Sequence, residues 1–295
     1  MNLKDMLKSR DIDLQHVLVL RNRPTEPELK KALPWLAAER LELFTAYQQA
    51  HGGNLEGAME AIKGVGYVAS FIGQKPKEAT FVGLYKIVSS KPLTYEQFWK
   101  IPANIELEKF GMKHWYAMHA NRSVRWFNLV LHDFYKHWRG KLVVGWPPPE
   151  RSWWRRAHRN DFPIVAVHEE SAFDTVMVDW DAIDLTWEQL RILPKRLKDA
   201  LSQWRGIYYI FDTSDKKGYV GSASGENNLL GRWLNYASRG HGGNRLLRPP
   251  RDPRNYRFTI LQRVSPDMAV NDVTRLESTW KERLHTRAPF GLNDN

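Results

Sequence analysis

No cysteine occurs among the 295 residues, which removes disulfides, thiolate metal sites and thiol nucleophiles and excludes zinc fingers. A reducing cytoplasmic location fits that absence. No run of about 18 consecutive apolar residues is present, so neither a membrane-spanning helix nor a membrane partner is expected. The opening Met1-Asn2-Leu3-Lys4-Asp5 lacks a basic segment followed by an apolar stretch, which predicts a soluble chain that is not secreted. Internal repeats and low-complexity tracts are also missing. Acidic residues are the minority, 33 against 44 Lys and Arg, giving a net charge of +11 and a pI near 9.7. That surplus favours a polyanionic partner, DNA first, although a basic surface kept for solubility has the same composition.

The length predicts two domains with sizeable cores. Three prolines at 147–149 mark a loop or linker. Before them, 16–20 reads as a buried strand and 28–49 as a helical stretch broken near Pro34. The segments 67–73 and 80–87 read as paired strands, Thr94 and Gln97 form a capping box, and 126–131 reads as another strand. Residues 1–181 are therefore expected to form a mixed α/β domain. Thr186 and Gln189 form a second capping box, and with the basic amphipathic stretch after Pro194 they make 182–204 a helical connector.

From residue 205 onward the pattern changes. Gly206-Ile207-Tyr208-Tyr209-Ile210-Phe211 and Tyr219-Val220-Gly221-Ser222 flank a turn, giving a hairpin in which Tyr208 and Ile210 oppose Ile207, Tyr209 and Phe211. A helix over 226–237 carries Leu229, Leu230, Trp233, Leu234 and Ala237 as its apolar stripe, is stopped by Gly240, and turns Arg232 and Tyr236 outward together. A third strand at 256–261 precedes a helix at 269–285 with Val273, Leu276, Trp280 and Leu284 inward. Glu277 lies close enough to that stripe to be partly desolvated, a costly place for a carboxylate without a nearby cation.

These residues resemble the GIY-YIG nuclease family. Gly206-Ile207-Tyr208 and the YIG-like Tyr219-Val220-Gly221 stand eleven residues apart, tyrosine to tyrosine, and are followed in the family's order by Arg232 with Tyr236, His241, Glu277 and Asn293. Valine in the second tripeptide, and Tyr236 where many relatives carry histidine, are the departures. The resemblance covers 205–295 and implies an α+β fold, a small antiparallel sheet flanked by helices, that hydrolyses phosphodiester bonds with Mg²⁺ or Mn²⁺. It implies catalytic roles for Tyr208, Tyr219, Arg232, Tyr236, His241, Glu277 and Asn293. Glu277 would be the single protein ligand of a hard ion that keeps its hydration. Arg232 would stabilise phosphate charge, and Tyr208 would be the general base. A free phenol is about 3 units too weak an acid at pH 7 for that role, so Lys217, His241 or the metal must lower its pKa. Tyr219 and Tyr236 read equally well as packing residues, and Asn293 as a turn residue.

The loop from Arg239 to Arg257 sets Arg239, Arg245, Arg248, Arg251, Arg254 and Arg257 against a single acid, Asp252, and with Lys217 is expected to track DNA phosphates. Eleven of the thirteen tryptophans precede Gly206; most are expected in the core, and the rest leave room for an aromatic pocket. The run 79–87 resembles β-barrel strands of PUA-like base-reading domains. Interleaved bases and aromatics at 151–159 suit a nucleic-acid surface or an interdomain hinge. His114 and His119, like His132 and His137, are spaced five apart and read as structural. The leading expectation is a restriction-type, metal-dependent DNA endonuclease that selects modified bases through residues 1–181. A structure-specific or repair nuclease, and an inactive DNA-binding module, are the alternatives. Homodimerisation or partner binding is the other role open to the N-terminal part.

Overall fold

The computed structural model describes residues 1–113, 123–174, 179–225, 228–248 and 251–294, and of Arg239 the backbone alone. His114, Trp115, His119, Glu226 and Asn227 lie outside the described residues. The chain divides into two compact units, Met1–Thr175 and Val176–Asn295.

The first unit runs α1 (Leu3–Lys8), β1 (Val17–Asn22), α2 (Pro27–Glu39), α3 (Leu41–Tyr47), α4 (Gly53–Glu60), β2 (Gly66–Ile72), β3 (Glu78–Leu93), α5 (Tyr95–Trp99), α6 (Pro102–Lys109), β4 (Val124–Leu131), β5 (Leu142–Gly145), β6 (Trp154–Arg156) and β7 (Ile164–Val167). Its strands form one curled, half-barrel sheet of seven, in the order β6-β1-β2-β3-β5-β7 with β4 also on β3. β1 and β2 are parallel and the other pairs antiparallel. An unbroken apolar run makes β1 central, because both of its faces are covered. Val17 and Val19 pack with Leu3, Leu7, Phe71 and Phe81, whereas Leu18 and Leu20 pack with Leu55, Met59, Val68 and Tyr85.

Two expectations change here. Pro34 sits inside α2 without ending it. The break comes at Arg40, whose φ/ψ of −139°/60° leaves the helical region and whose guanidinium pairs with Glu106 at 2.9 Å. Prolines 147–149 form a loop inside this unit, and the basic-aromatic segment after it supplies β6, which pairs with β1, so it is a sheet strand and no hinge. Among the described tryptophans before Gly206, Trp35 and Trp146 are buried, Trp153 is exposed and the others are half-buried, Trp138 and Trp154 packing against the core.

The second unit holds β8 (Asp184–Thr186), α7 (Trp187–Arg191), α8 (Lys195–Gln203), β9 (Arg205–Asp212), β10 (Lys217–Ala223), α9 (Asn228–Arg239), β11 (Tyr256–Val264) and α10 (Val270–Arg283). Its four-stranded antiparallel sheet has the order β10-β9-β11-β8. The stretch expected as a connector therefore belongs to this unit: β8 pairs with β11, a bidentate Arg257–Asp184 pair fixes it, and α8 packs on α9. Period-2 alternation sends Ile207, Tyr209 and Val220 toward Val273, Leu276 and Trp280 of α10. Tyr208 goes to the opposite face, against Trp233 of α9. No helix among the described residues is long and apolar enough to cross a membrane.

Candidate active site

Both GIY-YIG-like tripeptides end in or begin with residues whose size is dictated by close approach. Gly221 faces Tyr208 across β9 and β10, and a Cβ there would stand 2.5 Å from the Tyr208 hydroxyl. Gly206 passes beneath the bulge between Ile260 and Gln262, where a Cβ would meet the Gln262 carbonyl at 2.4 Å. The glycines thus let the tyrosine ring lie flat across the hairpin and the strands close up behind it.

Tyr208, Tyr219 and Tyr236 form one cluster, with ring centroids 5.9 to 6.4 Å apart. The Tyr208 and Tyr236 hydroxyls are 3.2 Å apart. Here the expected outward pairing of Arg232 and Tyr236 fails. Arg232 is exposed, but Tyr236 is buried and Leu234 is 43% exposed. The buried face of α9 is Leu229, Trp233 and Tyr236, because a tyrosine with a hydroxyl partner can join a core that a purely apolar stripe would have excluded.

Burial pushes the Tyr208 phenol far above its ordinary range, with Tyr219 adding to the rise; Tyr236 and Arg232 pull it down and Glu277 pushes it up. Tyr236 is raised the same way, by burial first and by its two tyrosine neighbours. The cations expected to activate Tyr208 are engaged elsewhere. Lys217 Nζ donates to the Pro289 carbonyl at 2.9 Å, and His241 Nδ1 accepts the Gly243 amide at 3.0 Å.

Glu277 stands on the other side of the sheet, on α10, with its side chain 17% exposed. The two faces meet at β10, the edge strand, through Ser222. The Ser222 hydroxyl donates to Glu277 Oε2, while its carbonyl accepts from Arg232 Nε at 3.4 Å. Lys281, one turn further along α10 and only 5% exposed, holds Glu277 Oε1 at 2.8 Å. It takes the inward place expected of Leu284, which is 40% exposed past the helix end. Neither Ser222 nor Lys281 was singled out in the sequence, although the i, i+4 spacing of Glu277 and Lys281 was a readable signal. A carboxylate beside a hydroxyl offers hard oxygen donors. Among the described residues no three His, Asp or Glu side chains gather, so an ion at Glu277 would draw its other ligands from water and phosphate, as Mg²⁺ commonly does.

Asn293 lies away from these groups. Its buried amide accepts the Val220 N–H at 2.9 Å and donates to the Val220 carbonyl at 2.8 Å, pairing the edge of β10 as another strand would. The basic loop also differs from its expected form. Arg251 bridges buried Asp212 and Asp215, Arg245 makes a bidentate pair with Asp294, and Arg254 pairs with Asp252. Asp212, Asp215 and Asp294 come from outside the loop, where a local reading of charge cannot see them. Arg248 is exposed with no acidic partner among the described residues, and the Arg239 side chain is outside them.

No family model, curated protein or solved structure matches the chain. The first unit holds a separate cavity of about 920 Å³, within the size range of ligand pockets. Tyr47, His51, Tyr95, Trp99 and Trp153 line it, with His51 and Trp153 rings 5.5 Å apart. Arg21, wholly buried in its wall, pairs with Glu150 at 3.1 Å and leaves Nε and Nη1 without hydrogen-bond partners among the described residues.

Proposed function

We propose that the chain is a metal-dependent DNA endonuclease whose second unit, resembling the GIY-YIG family, cuts the backbone. The observation that carries this reading is the meeting of four sequence segments around one edge strand: Tyr208, Ser222, Arg232 and Tyr236, and Glu277. Phosphodiester hydrolysis needs an oriented water, positive charge on the phosphate and help for the leaving oxygen. Arg232, exposed and lacking a carboxylate partner among the described residues, holds the phosphate oxygens through its planar fork. Tyr208, the general base that the resemblance implies, has its pKa raised by burial and lowered by Tyr236 and Arg232, so in this reading its deprotonation depends on positive charge from Arg232 and from the ion that Glu277 would hold. Glu277, with Ser222 beside it, is the place for Mg²⁺ or Mn²⁺, which when bound supplies positive charge and lowers the pKa of water.

Target choice is assigned to the first unit, in keeping with a restriction-type enzyme. Its aromatic cavity, lined by Tyr47, His51, Tyr95, Trp99 and Trp153, suits a planar base, modified or plain, as in the PUA-like domains that 79–87 resembles. A cleavage assay with Mg²⁺ on unmodified, base-modified and branched DNA tests the assignment. Cutting of modified duplex alone supports it, preference for branched DNA favours a repair-type nuclease, and binding without cutting identifies an inactive DNA-binding module.

A further inference from the structure

Lysine is among the residues least often buried, and a solvent-exposed i, i+4 ion pair gives it little reason to be. Lys281 is nevertheless only 5% exposed, and its ammonium sits on the carboxylate that the endonuclease reading gives to the metal. The second Glu277 oxygen receives the Ser222 hydroxyl, and Ser222 in turn leads to Arg232. The protein charge around Glu277 is therefore balanced or positive before any ligand arrives. A divalent cation approaching this site finds no net negative charge, and one carboxylate already spoken for.

We propose that Lys281 is the resident counter-ion of Glu277 and gates metal binding, so that the divalent ion enters with the DNA phosphate and is held poorly without it. The inference rests on the endonuclease reading and adds a regulation of the same site. The phosphate supplies the missing negative charge, and the displaced ammonium, tethered one helical turn away, pairs with a phosphate oxygen in exchange for the carboxylate. Linkage then requires reciprocity: DNA strengthens metal binding by the factor by which metal strengthens DNA binding. The gate keeps an ion-loaded, water-filled nuclease site from existing away from substrate. Lys281 is thus a positioning residue.

The experiment is a Mn²⁺ titration of the full chain without DNA, followed by electron paramagnetic resonance of the bound ion, for the natural protein and for Lys281→Met. Lys281→Gln is the second variant, removing the charge while keeping a hydrogen-bond donor, and thermal melting establishes that each variant is folded. The gate predicts at least tenfold tighter Mn²⁺ binding in both folded variants than in the natural protein, lost again when Glu277→Gln is added. Equal binding by the natural protein and the variants, dependent on Glu277, overturns the gate and leaves the metal assignment standing. Mn²⁺ bound by none of the folded proteins overturns the gate, because the ion then needs the phosphate whether or not Lys281 is present, and Mn²⁺ bound regardless of Glu277 overturns the metal assignment itself and the gate with it.

Discussion

Arg232 and Glu277 differ in how their surroundings define them. Arg232 rests on a single carbonyl contact and is otherwise free to meet a ligand, whereas Glu277 is clamped from two sides. Replacing Arg232 with lysine keeps the charge and loses the fork, so kcat should fall by about 10²-fold or more with DNA binding changed only a few-fold, a loss of roughly 3 kcal/mol in transition-state stabilisation. Single-turnover cleavage set beside anisotropy titration checks this, and near-native turnover would reduce Arg232 to a surface residue. Glu277→Gln, which keeps the side chain's shape toward Ser222 but leaves the buried Lys281 ammonium without its counter-charge, should abolish Mg²⁺-dependent cleavage and lower the melting temperature, while DNA binding by the folded protein changes only a few-fold. The buried phenols make a pH prediction of definite sign. Tyr208 and Tyr236 ionise less readily folded than unfolded, so their contribution to stability is complete below about pH 10 and is lost as pH rises above it. Alkaline unfolding followed by phenolate absorbance should begin at higher pH in Tyr208→Phe if that variant is otherwise intact.

At the level of elements, β10 is the frame of the site. Its inner side pairs with β9, and its outer side at Val220 is closed by one amide, Asn293. Asn293→Ala leaves a buried N–H and a buried carbonyl unpaired, a cost of about 1–3 kcal/mol each. Activity and melting temperature should fall together; a loss of activity with unchanged melting would instead place Asn293 in direct contact with substrate. Which parts were readable follows from range. The hairpin, the capping boxes at Thr94 and Thr186 and the left-handed Gly240 all depend on neighbours within a few residues, and all appear in the structure. The rotation of α9 was missed because it is set by a hydroxyl on another strand, and the quenching of the basic loop because Asp212, Asp215 and Asp294 lie 39, 36 and 49 residues from the arginines they meet. β8 was missed because three residues carry too short a pattern, and pairing with β11 alone defines them.

For the whole molecule, two cores of separate composition predict separable labour. In the endonuclease reading the second unit spends its polar groups on one backbone phosphate, and sequence discrimination needs base edges or a shaped pocket. The fragment from residue 176 onward should bind DNA weakly, with steep salt dependence, and cut with little preference or hardly at all. With Arg245, Arg251 and Arg254 already paired internally, its salt slope should be shallower than a count of loop arginines suggests. The fragment ending at residue 175 should hold its preferred DNA against excess ordinary duplex. Competition binding with the two fragments decides this, and selectivity that travels with the second fragment would make the first a dimerisation or partner-binding unit.

The amide that closes β10 has a place in time as well as in space. A chain emerging from the ribosome presents Tyr208, Ser222, Arg232, Tyr236 and Glu277 in that order, and Asn293 only after all of them. Each reactive group thus exists before the last piece of the edge that aligns them, and a chain halted between Glu277 and Leu292 carries the cutting groups on a strand still free to fray. The emergence of Asn293, and not the appearance of the last side chain with chemistry, is then the moment at which the edge of the proposed site can close.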